Sequence, residues 1–205
     1  MKYDFVEIGT SDFDTCLQSV AEHPHGLSCV GLSIEPLRYY LDRLPNLPHV
    51  KKLCCAISPD NTNGMLDVYY VPSSVIESNG LPDWLRGCNR VGDYHYQHKR
   101  LAITHLVQIE QVPCHPIGEL FDREQVTQID FLKLDTEGND SAILLHLANW
   151  LDTKPASIKP LRILFESNIL TDPYLVKQVI DRYHQMGYRS NNRGDDTILE
   201  LKKSP

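Results

Sequence analysis

The chain has no Gly-x-Gly-x-x-Gly run, no Cys-x-x-Cys pair and no apolar stretch approaching membrane-spanning length. It has no internal repeat and no low-complexity segment. Positive charge is in deficit, with 20 Lys and Arg against 27 Asp and Glu for a formal net charge of -7. Each absence removes a class of protein. Without a long apolar run there is no membrane-spanning helix to place. The acidic balance argues against a nucleic-acid groove as the main partner, because phosphate backbones are held by Lys and Arg. The six cysteines, Cys16, Cys29, Cys54, Cys55, Cys88 and Cys114, show no metal-ligand spacing with one another or with histidine, which argues against zinc. Several lie in apolar segments, where reduced cysteine behaves as a small hydrophobe. A reducing, cytoplasmic setting is expected. Met1 leads almost directly into the first apolar segment, so no signal peptide is expected. So abrupt a start also fits a domain cut from a longer, multidomain polypeptide.

What is present is a soluble composition. The 205 residues are 41% hydrophobic and 23% charged, enough for one sizeable core and, by default, one domain over 1–205.

One stretch organises the rest. Tyr3 to Ile8 is an apolar-rich strand, Gly9 breaks it, and Thr10, Ser11, Asp12 and Asp14 lead into a helix predicted from Phe13 to Ala21. A strand turning sharply into a helix is half of a nucleotide-binding βαβ unit. Glycine at the turn lets a ligand approach exposed backbone N–H groups. The later glycines of a dinucleotide fingerprint are missing, and Asp12 and Asp14 would repel a pyrophosphate. They suit a ligand with a cationic end, such as the sulfonium and ammonium of S-adenosylmethionine. The same residues equally fit an ordinary strand–turn–helix in which Ser11 or Asp12 caps the helix.

Further strands alternate with helices. Cys29 to Glu35 reads as a second strand stopped by Pro36, placing Glu35 at its carboxyl tip, where such folds bind ribose hydroxyls; a solvated strand-end glutamate is the plain alternative. Leu37 to Leu44 reads as a short helix, and Lys51 to Ile57 as a third strand. Its small end at Ala56-Ile57-Ser58 leaves room for an adenine ring, and Asp60 could accept from the ring's amine. Leu66 to Val71 alternates like an exposed strand. Residues 72–100 lose periodicity and carry Trp84, Tyr94, His95, Tyr96 and His98, as expected of a substrate lid or of a surface insertion. Leu101 to Val112 reads as a strand and Ile117 to Glu124 as a helix.

The second informative stretch is Ile129 to Asp140. Strand Ile129–Leu134 leads to a helix running from Gly138 to about Asn149. Lys133, Asp135 and Glu137 alternate, so a regular strand would put them on one face. There they would form an ion-pair cluster, with Asp135 at the strand's carboxyl end the candidate for chemistry. Leu161 to Asn168 follows as a strand containing Glu166, then a helix from Tyr174 to Met186. An antiparallel pair, Gly187–Arg189 and Asp196–Leu201, closes the chain. This alternation predicts a mostly parallel sheet with helices on both faces.

The segments Glu7-Ile-Gly-Thr-Ser-Asp-Phe-Asp14, Ile34-Glu-Pro36, Ala56-Ile-Ser58 and Asp130-Phe-Leu-Lys-Leu-Asp-Thr-Glu-Gly138 resemble the FkbM-type branch of class I S-adenosylmethionine-dependent methyltransferases. The lysine–x–aspartate–x–glutamate–glycine run is the most specific of them. The resemblance implies a Rossmann-like α/β fold with a mostly parallel seven-stranded sheet and an antiparallel last strand. It implies cofactor contacts at Glu7, Gly9, Thr10, Ser11 and Asp12, ribose binding at Glu35 beside Pro36, adenine packing at Ala56 and Ile57, and Asp135 near the donor methyl. It also implies methylation of hydroxyl groups, including those of sugars. Phe13 departs from the commoner pattern, which has a second glycine there, and the N-terminal helical segment that often covers the substrate is missing.

The expected reaction is therefore O-methylation of a small molecule or glycan. Asp135 is the first candidate for base or orienter, with Lys133 beside it, and His105, His95 and His98 are further candidate bases. Metal assistance is a variant, with Asp135, Glu166 and Asn168 as oxygen ligands to a cation such as Mg²⁺. The alternatives are an NAD(P)-dependent oxidoreductase on the same sheet and a non-catalytic nucleotide-binding module.

Overall fold

The computed structural model describes residues 1–13, 15–23 and 26–202. Asp14, one of the two carboxylates expected at the first turn, lies outside the described residues. In chain order the elements are β1 (Lys2–Ile8), α1 (Cys16–Glu22), β2 (Gly31–Ile34), α2 (Arg38–Leu41), β3 (Val50–Leu53), β4 (Ala56–Ile57), β5 (Gly64–Tyr70), α3 (Ser73–Ser78), β6 (Arg90–Val91) and α4 (Tyr96–Arg100). Then come β7 (Gln108–His115), α5 (Ile117–Arg123), β8 (Gln128–Leu134), α6 (Asp140–Leu151), β9 (Arg162–Glu166), α7 (Pro173–Gln185), β10 (Tyr188–Asn192) and β11 (Asp196–Leu201).

Seven strands form one sheet in the order β10-β11-β9-β8-β1-β2-β3. All run the same way except β11, the last in sequence, which is antiparallel to both β9 and β10. Helices cover both faces, as expected. On one, Val6, Ile8, Leu32, Ile34, Leu132, Leu134, Ile163 and Phe165 meet Ile143, Leu144 and Leu147 of α6 and Val179 and Tyr183 of α7. On the other, Phe5 and Phe131 pack against Leu17 of α1 and Leu41 of α2. The central strands read as near-continuous apolar runs because both their faces are covered.

The structure corrects several boundaries. α1 begins at Cys16 rather than Phe13, and its cap is Thr15, not Ser11 or Asp12. Thr15 and Gln18 form a reciprocal capping box, each side chain accepting the other's backbone N–H. The segment read as one strand, Lys51 to Ile57, is two. β3 ends at Leu53 in the large sheet, and after Cys54 and Cys55 the chain enters a second, four-stranded sheet of order β4-β7-β5-β6. The strand expected from Leu101 starts only at Gln108, after a 3-10 turn at Thr104–Leu106.

Residues 72–100 are neither irregular nor loose. They hold α3, a 3-10 helix at Asp83–Gly87, β6 and α4. Val71, Ile76, Leu85, Cys88 and Ile103 form a buried cluster of their own, with Val75, Leu81, Leu101, Leu106 and Val107 against it. The apolar residues are too scattered for one period because they serve short elements folded around a local centre. This segment is a cap beside the large sheet.

The turn after β1 is pressed against the end of β8. Gly9 N–H donates to the Ile34 carbonyl at 2.9 Å, and Asp135 N–H to the Ile8 carbonyl at 2.9 Å. Gly9 has φ +80°, and a Cβ there would stand 1.9 Å from the Asp135 carbonyl oxygen. Both conformation and contact require glycine. Gly9→Ala is expected to lower unfolding free energy by about 2–4 kcal/mol, from left-handed strain plus overpacking. Urea denaturation of the two proteins measures it.

Candidate active site

The carboxyl ends of β1, β2 and β8 open onto a crevice where open α/β sheets bind ligands. The cap and the second sheet wall its other side. It is lined by Gly9, Ser11, Glu35, Pro36, Ala56, Ile57 and Asp135, all expected from the sequence. Ile8, Ile34, Cys55, Val68, Gly87, Asn89, Val91, Thr136, Glu137 and Asn139 complete it.

Glu35 is buried at the tip of β2, as its position before Pro36 predicts. Its Oε2 accepts Ser11 N–H at 2.8 Å and its Oε1 accepts Leu37 N–H at 3.0 Å. Burial pushes its carboxyl up to about 7, against the pull of those two N–H donors. Ser11 has φ +48°, and its hydroxyl donates to the Arg86 carbonyl at 3.1 Å, tying the first turn to the cap. Phe13, standing where the commoner pattern has glycine, makes a second tie. Arg86 lies over its ring at 5.0 Å, and a Cβ on Gly87 would come within 2.9 Å of that ring.

Other expected contacts lie elsewhere. Asp12 is buried between two arginines, Arg43 at 3.0 Å and Arg86 at 3.5 Å. It neutralises cations of the protein itself and does not line the crevice. Thr10 is buried, its hydroxyl donating to the Ser11 carbonyl. Glu7 is fully buried on the α1 side of the sheet. Both its oxygens accept Cys16 N–H at 3.0 Å, and Lys133 Nζ is 3.1 Å from Oε1. Glu7 and Lys133 are thus structural partners below the crevice. Lys133 also reaches Asp135 at 3.7 Å. Burial alone would lower its ammonium, but Glu7 and Asp135 hold it above its ordinary value. Asp60 accepts from Ser58 and Thr62 rather than facing the crevice. His105 is exposed on the Thr104–Leu106 turn and is not brought to the site.

The expectation that Lys133, Asp135 and Glu137 share one cluster holds only for the first two. The strand ends at Leu134, and Glu137 (φ +54°) and Gly138 (φ +99°) turn the chain into α6. Glu137 Oε2 instead lies 2.9 Å from His95 Nε2 in the cap. Sequence reasoning undervalued Glu137 because period-two alternation was extended past the strand's end, although Gly138 marks that end. It missed Asn89, whose buried Oδ1 has no hydrogen-bond partner among the described residues.

Of the candidate metal ligands, Glu166 and Asn168 are bonded to each other. Asn168 Nδ2 donates to Glu166 Oε1 at 2.5 Å, and its Oδ1 accepts Leu170 N–H at 2.8 Å. Among the described residues no group of three or more His, Cys, Asp or Glu side chains is arranged to hold a metal ion. Glu166 belongs to a different arrangement. Burial, then Glu137, Asp140 and Asp135, push its carboxyl up to about 9. Asp140 is itself buried. It accepts Thr136 N–H and Glu166 N–H, each at 2.8 Å, and clasps the ends of β8 and β9 together.

The α/β fold places an acid-lined crevice over the carboxyl ends of its parallel strands, beside the first strand–helix turn. The family is shown by comparison. Residues 6–190 match the methyltransferase FkbM domain, and the chain belongs to that family of methyltransferases. A ribosomal protein L11 methylase from Lactobacillus delbrueckii subsp. bulgaricus is a structural neighbour at 11% identity and a TM-score of 0.38, covering 97% of this chain and 70% of that one; at that score it carries no argument. Comparison with curated proteins finds no match. No helix among the described residues is long and apolar enough to cross a membrane.

The raised carboxyl of Glu166 has a consequence for stability. Unfolded, it ionises near its ordinary value of 4.5; folded, only near 9. The folded state holds an extra proton between those limits, so stability falls as pH rises through that window and is undiminished below it. Glu166→Gln removes the titration. Its midpoint is expected to match wild type at pH 4.5 and to exceed it by about 10 °C or more at pH 8, read by thermal denaturation.

Proposed function

We propose that this methyltransferase acts as a single domain and transfers a methyl group from S-adenosylmethionine to a hydroxyl of a small molecule or glycan, a sugar hydroxyl above all. The observation that supports the donor is the charge of the crevice. Glu35, Asp135 and Glu137 line it, and no lysine or arginine is among its described lining residues. A sulfonium and an ammonium bound there would favour the ionised form of these carboxyls, whereas a pyrophosphate would find no cation, which disfavours the dinucleotide oxidoreductase.

Bound there, S-adenosylmethionine supplies an already activated methyl group. The protein's part is alignment and exclusion of water. Glu35 would accept the ribose hydroxyls, its backbone donors holding it in place. Ala56, Ile57, Val68 and Val91 offer apolar walls for the adenine. The main chain at Gly9 and Ser11 leaves room for the amino-acid portion. Gly9 is kept small by the Asp135 carbonyl, so that stretch of wall is backbone only.

Support for a sugar acceptor comes from the cap. Arg90, Tyr94, Tyr96 and Lys99 line a groove with Ile169 and Leu170, and Tyr96 is about half exposed. Aromatic faces stack on sugar rings, while the polar heads beside them reach hydroxyls. A cytoplasmic setting goes with this reading. The six cysteines are free, and burial pushes the thiols of Cys55 and Cys88 up to about 11 and 12, keeping them protonated and unreactive.

Glu35 sets a pH test of the donor site. Its ionised form is the better acceptor of two hydroxyl donors, so with a carboxyl near 7 binding below that pH must first release a proton. Affinity for S-adenosylhomocysteine is expected to rise between pH 6 and pH 8, and Glu35→Gln is expected to weaken it about tenfold or more at pH 8 and flatten the profile. Titration calorimetry at three pH values reads both. Equal affinity at pH 6 and 8 counts against the ribose role.

A further inference from the structure

We infer that Glu137 takes the proton of the acceptor hydroxyl, held in place for that purpose by His95 of the cap. The inference rests on the methyl-transfer reading above and deepens it. Glu137 lines the crevice. Its backbone sits in the left-handed region at φ +54°, where a non-glycine residue is uncommon and strain concentrates at functional sites.

The protonation state of His95 follows from its bonds. The ring is buried, 2% exposed. Nδ1 accepts Gln97 N–H at 3.1 Å, so the neutral ring carries its proton on Nε2. That proton points to Glu137 Oε2, 2.9 Å away. Burial, with Arg90 nearby, pushes His95 down to about 4. The imidazole therefore stays neutral near pH 7, and its Nε2–H is a fixed donor rather than a base. The other oxygen of Glu137, Oε1, has no hydrogen-bond partner among the described residues. It lies 4.0 Å from where a Cβ on Gly87 would stand, on the crevice wall.

The neighbours of Glu137 raise its basicity. Asp135 and Asp140 face it from its own turn, Glu166 from β9, Arg90 from β6, and Cys88 from the cap. Burial first, then Asp135 and Asp140, push its carboxyl up to about 8, with Arg90 opposing. Asp135 instead lies beside the Lys133 ammonium, 3.7 Å away, and is engaged there. A pKa near the working pH is what general-base catalysis needs. In the step itself the acceptor oxygen bonds to the methyl carbon as the carbon–sulfur bond breaks. The electron pair of that bond stays on sulfur, and the hydroxyl proton passes to Glu137 Oε1 and then to water. The products are the methyl ether, S-adenosylhomocysteine and one proton.

The test uses Glu137→Gln, His95→Phe and His95→Gln with three readouts. Calorimetry with S-adenosylhomocysteine is expected to give affinities within about threefold of wild type for the two His95 variants and saturable binding for Glu137→Gln, which also reports a folded site. Mass detection of methyl transfer to a panel of methyl glycosides is expected to show at least about a 100-fold loss for Glu137→Gln. The wild-type rate is expected to climb towards a plateau above pH 8. His95→Phe should displace that climb to higher pH, and His95→Gln, which keeps an N–H donor at that place, should restore it. Without any ligand, ¹⁵N NMR is expected to find the His95 proton on Nε2. Undiminished turnover by Glu137→Gln, or a proton on Nδ1, overturns this inference alone. Wild type that binds S-adenosylhomocysteine but methylates none of the glycosides overturns it together with the sugar acceptor. Wild type that does not bind at all overturns the donor site beneath both.

Discussion

Glu7 and Lys133 face each other in register across β1 and β8, and the rest of the site depends on that pairing. A carboxylate and an ammonium inside a sheet are tolerable only when each satisfies the other and the remaining lone pairs find donors. Here the first backbone N–H of α1, at Cys16, completes the set. One buried contact therefore ties two adjacent parallel strands and the helix that leaves the first of them. A slip of β1 against β8 by one residue would turn Glu7 to the apolar side, among the side chains that meet α6. With the register held, both strands end at the same height, and Gly9 and Asp135 meet there main chain to main chain.

Above that level the electrostatics change sign. Below the strand ends Glu7 is paired with Lys133, and in the loop after β1 Asp12 is paired with Arg43 and Arg86. At the strand ends the carboxylates of Glu35, Glu137 and Glu166 are buried with few cations, and each is pushed towards neutrality by desolvation and, secondarily, by its acidic neighbours. On the proposed reading a cationic donor meets Glu35, Asp135 and Glu137 rather than Asp12, which stands near Gly9 in the sequence. Asp12 is an anchor for two arginines.

The legibility of the chain follows the range of the forces involved. The parallel core was readable because a strand covered on both faces must be apolar along its length, and because Gly9, Pro36 and Gly138 mark where strands stop. Glu35 was readable from its place at one such stop. The partners of Asp12 were not, since Arg43 and Arg86 arrive from distant segments that nothing local points to. The break between β3 and β4 was hidden because Cys54 and Cys55 are as apolar as the strands they separate. The cap gave no periodic signal because its elements are only two to six residues long, shorter than a helical or strand pattern needs to declare itself. Thr15 and Gln18 carried a capping box in plain view, and it places the start of α1 correctly where the apolar pattern alone does not.

The cap has a hydrophobic centre of its own at Val71, Ile76, Leu85, Cys88 and Ile103, separate from the clusters on the two faces of the large sheet. Its solvent-facing positions can consequently drift without disturbing the packing at the carboxyl ends of the parallel strands. Aromatic and charged side chains can be exchanged there while Gly9, Glu35 and the strand ends stay where they are. An interior divided into separate cores lets one part vary while another is held constant.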